Sequence, residues 1–234
     1  MHPLDNVIWQ ALTTRQREFA ESSGKASRFT AEVSSLAGFE EPSPEGYQSL
    51  AALLTSQETV RLFLADAHQH RAGWNLVTSA PLLQMVCENG ETAPTSQVAS
   101  DLELLELSAE NSPEMLELAM LAKPGPFNRR TRELGTYLGM RHEGKLVAMA
   151  GERLKVPGYT EVSAVCTHPE HTGHGYAARL MSAVMRRIRK RSETPFLHVR
   201  GDNARAIALY ERLGFETRVR GHLAVLRREK DHRG

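Results

Sequence analysis

A glycine-rich segment at residues 167–180 (THPEHTGHGYAARL) follows a strand pattern and opens a helix pattern. Glycine lets backbone N–H groups turn toward a ligand and lets that ligand come close. The N-terminus of the helix adds unpaired N–H donors and a partial positive charge. The segment therefore predicts an anion site suited to a pyrophosphate, and the alternative is a tight strand-to-helix turn that binds nothing.

Three kinds of phosphate-binding loop can be compared with this segment. A P-loop is excluded because no Gly-Lys-Ser/Thr closes the loop. Gly173, Gly175 and Ala178 fit a dinucleotide fingerprint, with Glu193 about 20 residues downstream. That fingerprint needs a parallel strand–helix–strand succession, whereas the flanking segments read as antiparallel strands, which disfavours it. The third kind is a coenzyme A loop.

Hydrophobic periodicity predicts alternating helices and strands along the chain. In the N-terminal part it predicts helices at residues 7–12, 50–54 and 60–67, a strand at 82–86 and a linker at 89–96. The C-terminal part is predicted to contain strands at 102–107, 134–141, 146–154, 160–167, 195–199, 215–219 and 222–226, and helices at 112–123, 176–191 and 203–213.

Two blocks of the sequence carry a family resemblance. Residues 172–177 match Arg/Gln-x-x-Gly-x-Gly/Ala at Gly175 and Ala177, whereas Thr172 stands where arginine or glutamine is usual. Residues 203–215 read Asn-x-x-Ala-x-x-Leu-Tyr-x-x-x-Gly-Phe. With the strand before the loop, they resemble the GNAT superfamily of acyl-CoA-dependent N-acyltransferases over residues 101–234. The resemblance implies an α/β fold with a mixed, mostly antiparallel sheet, flanked by helices and splayed at its centre to admit CoA.

The resemblance also implies roles for individual residues in a direct attack of an amine on the thioester of acetyl-CoA. Tyr210 is the implied general acid, since a phenol with an ordinary pKa of about 10 is protonated at neutral pH. The alternative is that Tyr210 is only a core aromatic residue. The residues implied to bind CoA are Val165, Cys166, Thr167, Thr172, Gly173, His174, Gly175, Tyr176, Ala177, Ala178, Asn203 and Tyr210.

Two residues are candidates for the general base. Glu161 begins the strand that leads into the loop, and His198 lies on the next strand, five residues before Asn203. A neutral imidazole can accept a proton directly or through water. Alternatively, His198 is a hydrogen-bonded structural residue, and Glu161 and Glu152 bind a cationic substrate.

Two other chemistries are not expected at this site. Cys166 has no implied base beside it, so covalent catalysis through its thiol is disfavoured. His168, His171 and His174 recur every three residues but flank the glycines and lack an acidic or cysteine partner nearby. We therefore predict no metal site.

Charge divides the chain into an acidic and a basic part. Residues 1–128 hold 7 basic and 17 acidic side chains, and residues 129–234 hold 22 and 11, which gives balances of −10 and +11. The basic part favours an anionic partner. We predict a GNAT N-acetyltransferase domain at residues 101–234, preceded by an extra N-terminal α/β region at residues 1–100. For that region, a reduced second copy of the fold, a substrate lid and a dimerisation surface are all open.

The sequence thus predicts an acetyl-CoA-dependent N-acetyltransferase, with a small amine, an amino acid or a peptide N-terminus as acceptor. A non-catalytic CoA-binding module and, from the basic run at residues 186–191, a nucleic-acid binder are the alternatives. Aromatic residues make up 6% of the chain and none is interleaved with that run, so no nucleic-acid partner is expected. No apolar run is long enough to cross a bilayer, and no membrane partner is expected. Two cysteines and no signal-peptide pattern predict a cytoplasmic protein. A homodimer is compatible with the sequence.

Overall fold

The computed structural model describes residues 2–88 and 102–229, so the expected linker at 89–96 and the boundary at residue 100 lie outside the described residues. The helices are α1 (Val7–Thr13), α2 (Pro44–Ala52), α3 (Ser112–Ala122), α4 (Tyr176–Lys190) and α5 (Ala204–Arg212). The strands are β1 (Ala20–Ser23), β2 (Ala26–Phe29), β3 (Ala37–Phe39), β4 (Thr59–Leu64), β5 (Trp74–Val86), β6 (Leu104–Glu106), β7 (Tyr137–His142), β8 (Lys145–Val156), β9 (Tyr159–Thr167), β10 (Thr194–Arg200) and β11 (Glu216–Arg228).

Eight strands form one large sheet in the order β4-β11-β5-β10-β9-β8-β7-β6, and β1-β2-β3 form a small antiparallel sheet. Within the large sheet β9 and β10 are parallel, and every other neighbouring pair is antiparallel. The parallel pairing covers three residue pairs, from Thr194↔Tyr159 to Phe196↔Glu161, although both strands continue beyond it. The strands therefore part inside the sheet. The predicted mixed, mostly antiparallel sheet flanked by helices is confirmed.

A β-bulge lies in β9 where the strands part. Met149 on β8 pairs with Cys166, and Gly151 pairs with Ser163, so β9 carries one extra residue over this interval. Ala164 within it has a φ of +51°, a backbone conformation that is uncommon for a residue with a side chain. Bulges of this kind redirect the groups around them and recur near active sites. Here the bulge changes the direction of the peptide groups that border the gap between β9 and β10.

The sequence prediction lacks the strands β1 to β3, and it gives the wrong type or number for two further elements. The expected helix over residues 60–67 is wrong, because that segment is the edge strand β4, with Val60 and Leu62 buried on one face and paired with β11. The two expected final strands are one continuous strand, β11, with two bulges. Gly221 lies within this continuous strand, and a Cβ there would come within 2.6 Å of the Leu64 carbonyl oxygen on β4. Glycine is needed at that position for the close approach of the two backbones.

The N-terminal part of the chain shares the large sheet with the C-terminal part. Strand β5 lies between β10 and β11 and pairs with both, from Val86 outward. Helices α4 and α5 pack on one face of the sheet in a cluster that includes Leu83, Leu197 and Ile188. Helices α1 and α3 pack on the opposite face. Residues 59–86 are therefore part of the scaffold that holds β10 in place.

Tyr137 on β7 is a fully buried residue whose hydroxyl has no hydrogen-bond partner among the described residues. Burial also raises the pKa of this phenol. An unsatisfied buried hydroxyl is destabilising, so Tyr137→Phe is expected to raise the free energy of unfolding by up to about 1 kcal/mol in urea titrations. The matched control is Tyr47→Phe, which removes a hydroxyl bonded to His68 Nδ1 at 3.2 Å and should lower stability. Equal losses in both variants would contradict this reading of Tyr137.

Candidate active site

The loop before α4 adopts the geometry that its glycines predict. Gly173 and Gly175 have φ values of +88° and +73°, a region that glycine enters without strain. Gly175 occupies the N-cap position of α4, where no described side chain caps the helix. The first backbone N–H groups of α4 therefore have no intrahelical acceptor and are available to an anion.

One cavity of about 440 Å³ brings together all twelve residues that the sequence implied for cofactor binding. It lies between the second half of β9, the glycine loop, the start of α4 and helix α5. Six further residues line it, namely Ala122, His171, Arg205, Ala206, Leu209 and Arg212. Sequence reasoning missed the two arginines, although their spacing of seven positions puts both on one face of α5. Their guanidinium groups add positive charge to a cavity whose other anion-binding groups are uncharged amides.

Asn203 and Tyr210 enter this cavity from the two ends of α5. Asn203 caps the helix, because its Oδ1 accepts a hydrogen bond from the Ala206 N–H at 3.1 Å, and its Nδ2 stays available to a ligand. Tyr210 is half-buried, and burial raises its pKa to about 12. The described residues include no hydrogen-bond partner for its hydroxyl. The Tyr210 hydroxyl is thus protonated at neutral pH, and it can donate a hydrogen bond or a proton to a ligand.

Glu161 is completely buried and is held by a charged partner. Arg153 donates two hydrogen bonds to its carboxylate, at 2.8 and 2.7 Å, and the Leu154 N–H donates a third at 3.3 Å. Burial raises the pKa of a carboxyl group, but the ion pair with Arg153 outweighs it and lowers the pKa of Glu161 from 4.5 to about 2. A carboxylate with so low a pKa is a poor proton acceptor near neutral pH. Its fixed position instead suits it to orient a neighbouring side chain.

That neighbour is His198 on β10. Its Nδ1 lies 2.7 Å from a Glu161 oxygen, which assigns the ring hydrogen to Nδ1 and leaves Nε2 as an acceptor. Nε2 accepts a hydrogen bond from the Gln84 side-chain nitrogen at 3.2 Å. His198 also lies two residues beyond Phe196, the last residue of β10 paired with β9. The accepting nitrogen therefore stands beside the point where the sheet opens.

Comparison with known proteins identifies the family. The model of the FR47-like protein family matches residues 137–223. A solved GNAT-family structure from Novosphingobium aromaticivorans DSM 12444 is 34% identical, with a TM-score of 0.89 and coverage of 98% of this chain and 100% of that one. The chain belongs to the GNAT family of acetyltransferases. The family predicted from the two sequence blocks is confirmed, and the protein is an acyltransferase.

Two other relatives are more distant or cover less of the chain. A GCN5-related N-acetyltransferase from Kribbella flavida is 18% identical, with a TM-score of 0.62 over 98% of both chains, and shares the fold. A mycothiol acetyltransferase of Saccharomonospora viridis is 47% identical over 58 residues. That match spans 24% of this GNAT chain and 19% of the mycothiol enzyme.

Two other titratable groups near the site of this GNAT protein are either unreactive or already paired with other side chains. Burial raises the pKa of the Cys166 thiol to about 12, so a thiolate nucleophile is not available there. Glu152, a candidate for binding a cationic substrate, is buried and already paired with Arg191 at 2.9 Å and Lys155 at 3.2 Å. Among residues 2–88 and 102–229, no group of three metal-ligating side chains is placed to hold an ion, and no helix is long and apolar enough to cross a membrane.

Proposed function

We propose that this GNAT acetyltransferase transfers the acetyl group of acetyl-CoA directly to a primary amine. The observation that carries the proposal is the cavity at the uncapped start of α4, which is lined by the last residues of β9 and by one side of α5. The pyrophosphate would meet the N–H groups of residues 173–178, and the arginines of α5 would add charge. The pantetheine arm would run along Val165, Cys166 and Thr167 toward Asn203 and Tyr210. The free thiols of Cys87 and Cys166 are consistent with a cytoplasmic location for this reaction.

The chemistry needs one proton acceptor and one proton donor. In a direct transfer the amine nitrogen attacks the thioester carbonyl, a C–N bond forms and the C–S bond breaks. We assign His198 Nε2 as the acceptor of the amine proton, either directly or through water. Glu161 acts through His198 and fixes its tautomer, which makes it a positioning residue. The Tyr210 hydroxyl supplies the proton that the departing thiolate takes up.

A panel of amines tests the proposed function. The protein is incubated with acetyl-CoA and each of a series of amines, amino acids and peptides, while thiol release and product mass are followed. The expected result is an N-acetylated product that forms in equal amounts with free CoA. The function is wrong if every acceptor stays at background while CoA still raises the melting temperature. Salt-sensitive nucleic-acid binding that CoA does not affect would instead support a nucleic-acid binder.

Tyr210→Phe tests the proposed proton donor. Phenylalanine keeps the ring that packs at 6.2 Å from Phe215 and removes only the hydroxyl. Without the donor the thiolate must leave unprotonated, so kcat is expected to fall about 100-fold. The affinity for acetyl-CoA, measured by calorimetry, should change little because the hydroxyl acts in the transition state. Normal turnover in this variant would remove Tyr210 from the mechanism.

A further inference from the structure

A second cavity, of about 300 Å³, lies where the N-terminal part of the chain meets the opened sheet. We propose that it binds the acceptor, and that the acceptor is a small primary amine with an apolar body. The inference rests on the function proposed above and names the substrate class of that same site. It also gives residues 2–88 a role, because most of the cavity wall comes from them.

The wall of this second cavity contains one proton acceptor, His198, together with apolar and polar side chains. His198 and Gln84 come from β10 and β5, Phe63 and Leu82 supply apolar surface, and Asp5 and Arg218 contribute charge. The Phe63 ring centroid lies 4.5 Å from that of His198, whose side chain is 4% exposed. The imidazole therefore borders the cavity beside an aromatic ring and is largely shielded from bulk solvent. This is where a neutral amine nitrogen would give up its proton.

A chain of hydrogen bonds fixes these groups in place. The Gln84 nitrogen donates to the Leu4 carbonyl oxygen at 2.9 Å as well as to His198, and its oxygen accepts from Arg218 at 2.9 Å. Arg218 in turn pairs with Asp5. The Gln84–His198 contact, at 3.2 Å, is the longest of the three. An amine that approaches Nε2 can replace this contact while the rest of the network stays formed.

Charge and size select the occupant. The two charged residues that line this cavity, Asp5 and Arg218, are paired with each other, so no surplus carboxylate lines it for a polycation. The volume corresponds to about ten water molecules in the liquid and lies at the low end of ligand cavities. An amine of the size and polarity of phenethylamine fits these limits, whereas spermidine would leave charges unpaired.

The test combines two acceptors with two valine variants. Val219 lines the cavity on β11 and is 39% exposed, so a tryptophan there can narrow the entrance without disturbing the core. Val77 on β5 is 46% exposed and lines neither this cavity nor the one at α4, so Val77→Trp is the matched control. Val219→Phe serves as a smaller second variant if the tryptophan protein does not fold.

We expect phenethylamine to be acetylated with a kcat/KM at least about tenfold above that of spermidine. Val219→Trp should raise the KM for phenethylamine about tenfold and leave the KM for acetyl-CoA unchanged, and Val77→Trp should change neither. A preference for spermidine, or acetylation of other amines but not phenethylamine, overturns the acceptor class. An unchanged phenethylamine KM in Val219→Trp overturns the cavity assignment and leaves the proposed function standing. If the wild type acetylates no amine at all, the proposed function fails and this inference fails with it.

Discussion

Arg153→Met is expected to lower the free energy of unfolding by about 3–5 kcal/mol. The substitution keeps most of the side-chain volume but leaves Glu161 charged and completely buried, without the two hydrogen bonds that Arg153 donates. Removing one partner of a buried ion pair costs far more than removing both, because the remaining charge stays desolvated. Urea titration at pH 7 measures the loss.

The matched control is Arg141→Met. Arg141 also binds a carboxylate with two nitrogens, that of Glu114, but both side chains are more than a quarter exposed. Such a pair is expected to contribute at most about 1 kcal/mol. If both variants lose the same free energy of unfolding, burial does not increase the contribution of the Arg153–Glu161 ion pair to stability.

The loss in Arg153→Met should also depend on pH with a definite sign. Glu161 titrates at about 2 in the folded protein against an ordinary value of 4.5, so its ionised form stabilises the wild type above pH 4.5. That contribution disappears as the pH falls to about 2. The unfolded state is common to both proteins, so the stability difference should be widest near neutral pH, begin to shrink at the pKa of the buried Glu161 in the variant, which burial raises, and be smallest near pH 2. A difference that stays constant over this range would contradict the assignment of the lowered pKa to Arg153.

Gly175→Glu is expected to weaken CoA binding at least about 1,000-fold, which corresponds to about 4 kcal/mol. A φ of +73° is strained for any residue with a side chain, and the new carboxylate would sit at the start of α4. There it would accept hydrogen bonds from the first N–H groups of the helix, and its negative charge would repel a pyrophosphate. Calorimetric titration with CoA measures the change.

Gly158→Glu is the matched control for this substitution. Gly158, in the turn between β8 and β9, has a φ of +80° and open space where a Cβ would lie, so a side chain there carries the same backbone strain outside the cavity. CoA affinity should stay at the wild-type value in this variant. Equal losses in the two variants would trace the effect to general destabilisation, and unchanged affinity in Gly175→Glu would remove the loop from the CoA site.

The parts of the site that local sequence determines were the parts that could be predicted. The positive φ angles at Gly173 and Gly175 and the Asn203 cap depend on neighbours a few residues away, so a short motif suffices to indicate them. The Arg153–Glu161–His198 network depends on the pairing of three strands, and its Gln84 comes from another part of the chain. Glu161 is therefore a candidate base in the sequence alone, because the contacts that lower its pKa, with Arg153 first and His198 second, are tertiary.

Strand β4 shows the same limit in the fold. Its residues Val60 to Leu64 are apolar enough for either a helix or a strand, and a short apolar run does not distinguish the two. The decision comes from β11, whose residues 222–227 hydrogen-bond along its length. A strand partner more than 150 positions away leaves no trace in a local pattern, which is why the segment was predicted as a helix.

The position of β5 has a consequence for how the protein is made. Val86 pairs with Phe196 and with Glu216, so the first strand partner of β5 is synthesised 110 positions later. Until β10 leaves the ribosome, β5 cannot join the large sheet. Both of its backbone edges are then unpaired, and Leu83 and Met85 lack the packing that they have in the folded protein. Such late, long-range pairing slows folding and exposes apolar strands on the way. The nascent chain should therefore depend on chaperones during synthesis more than the finished fold would suggest.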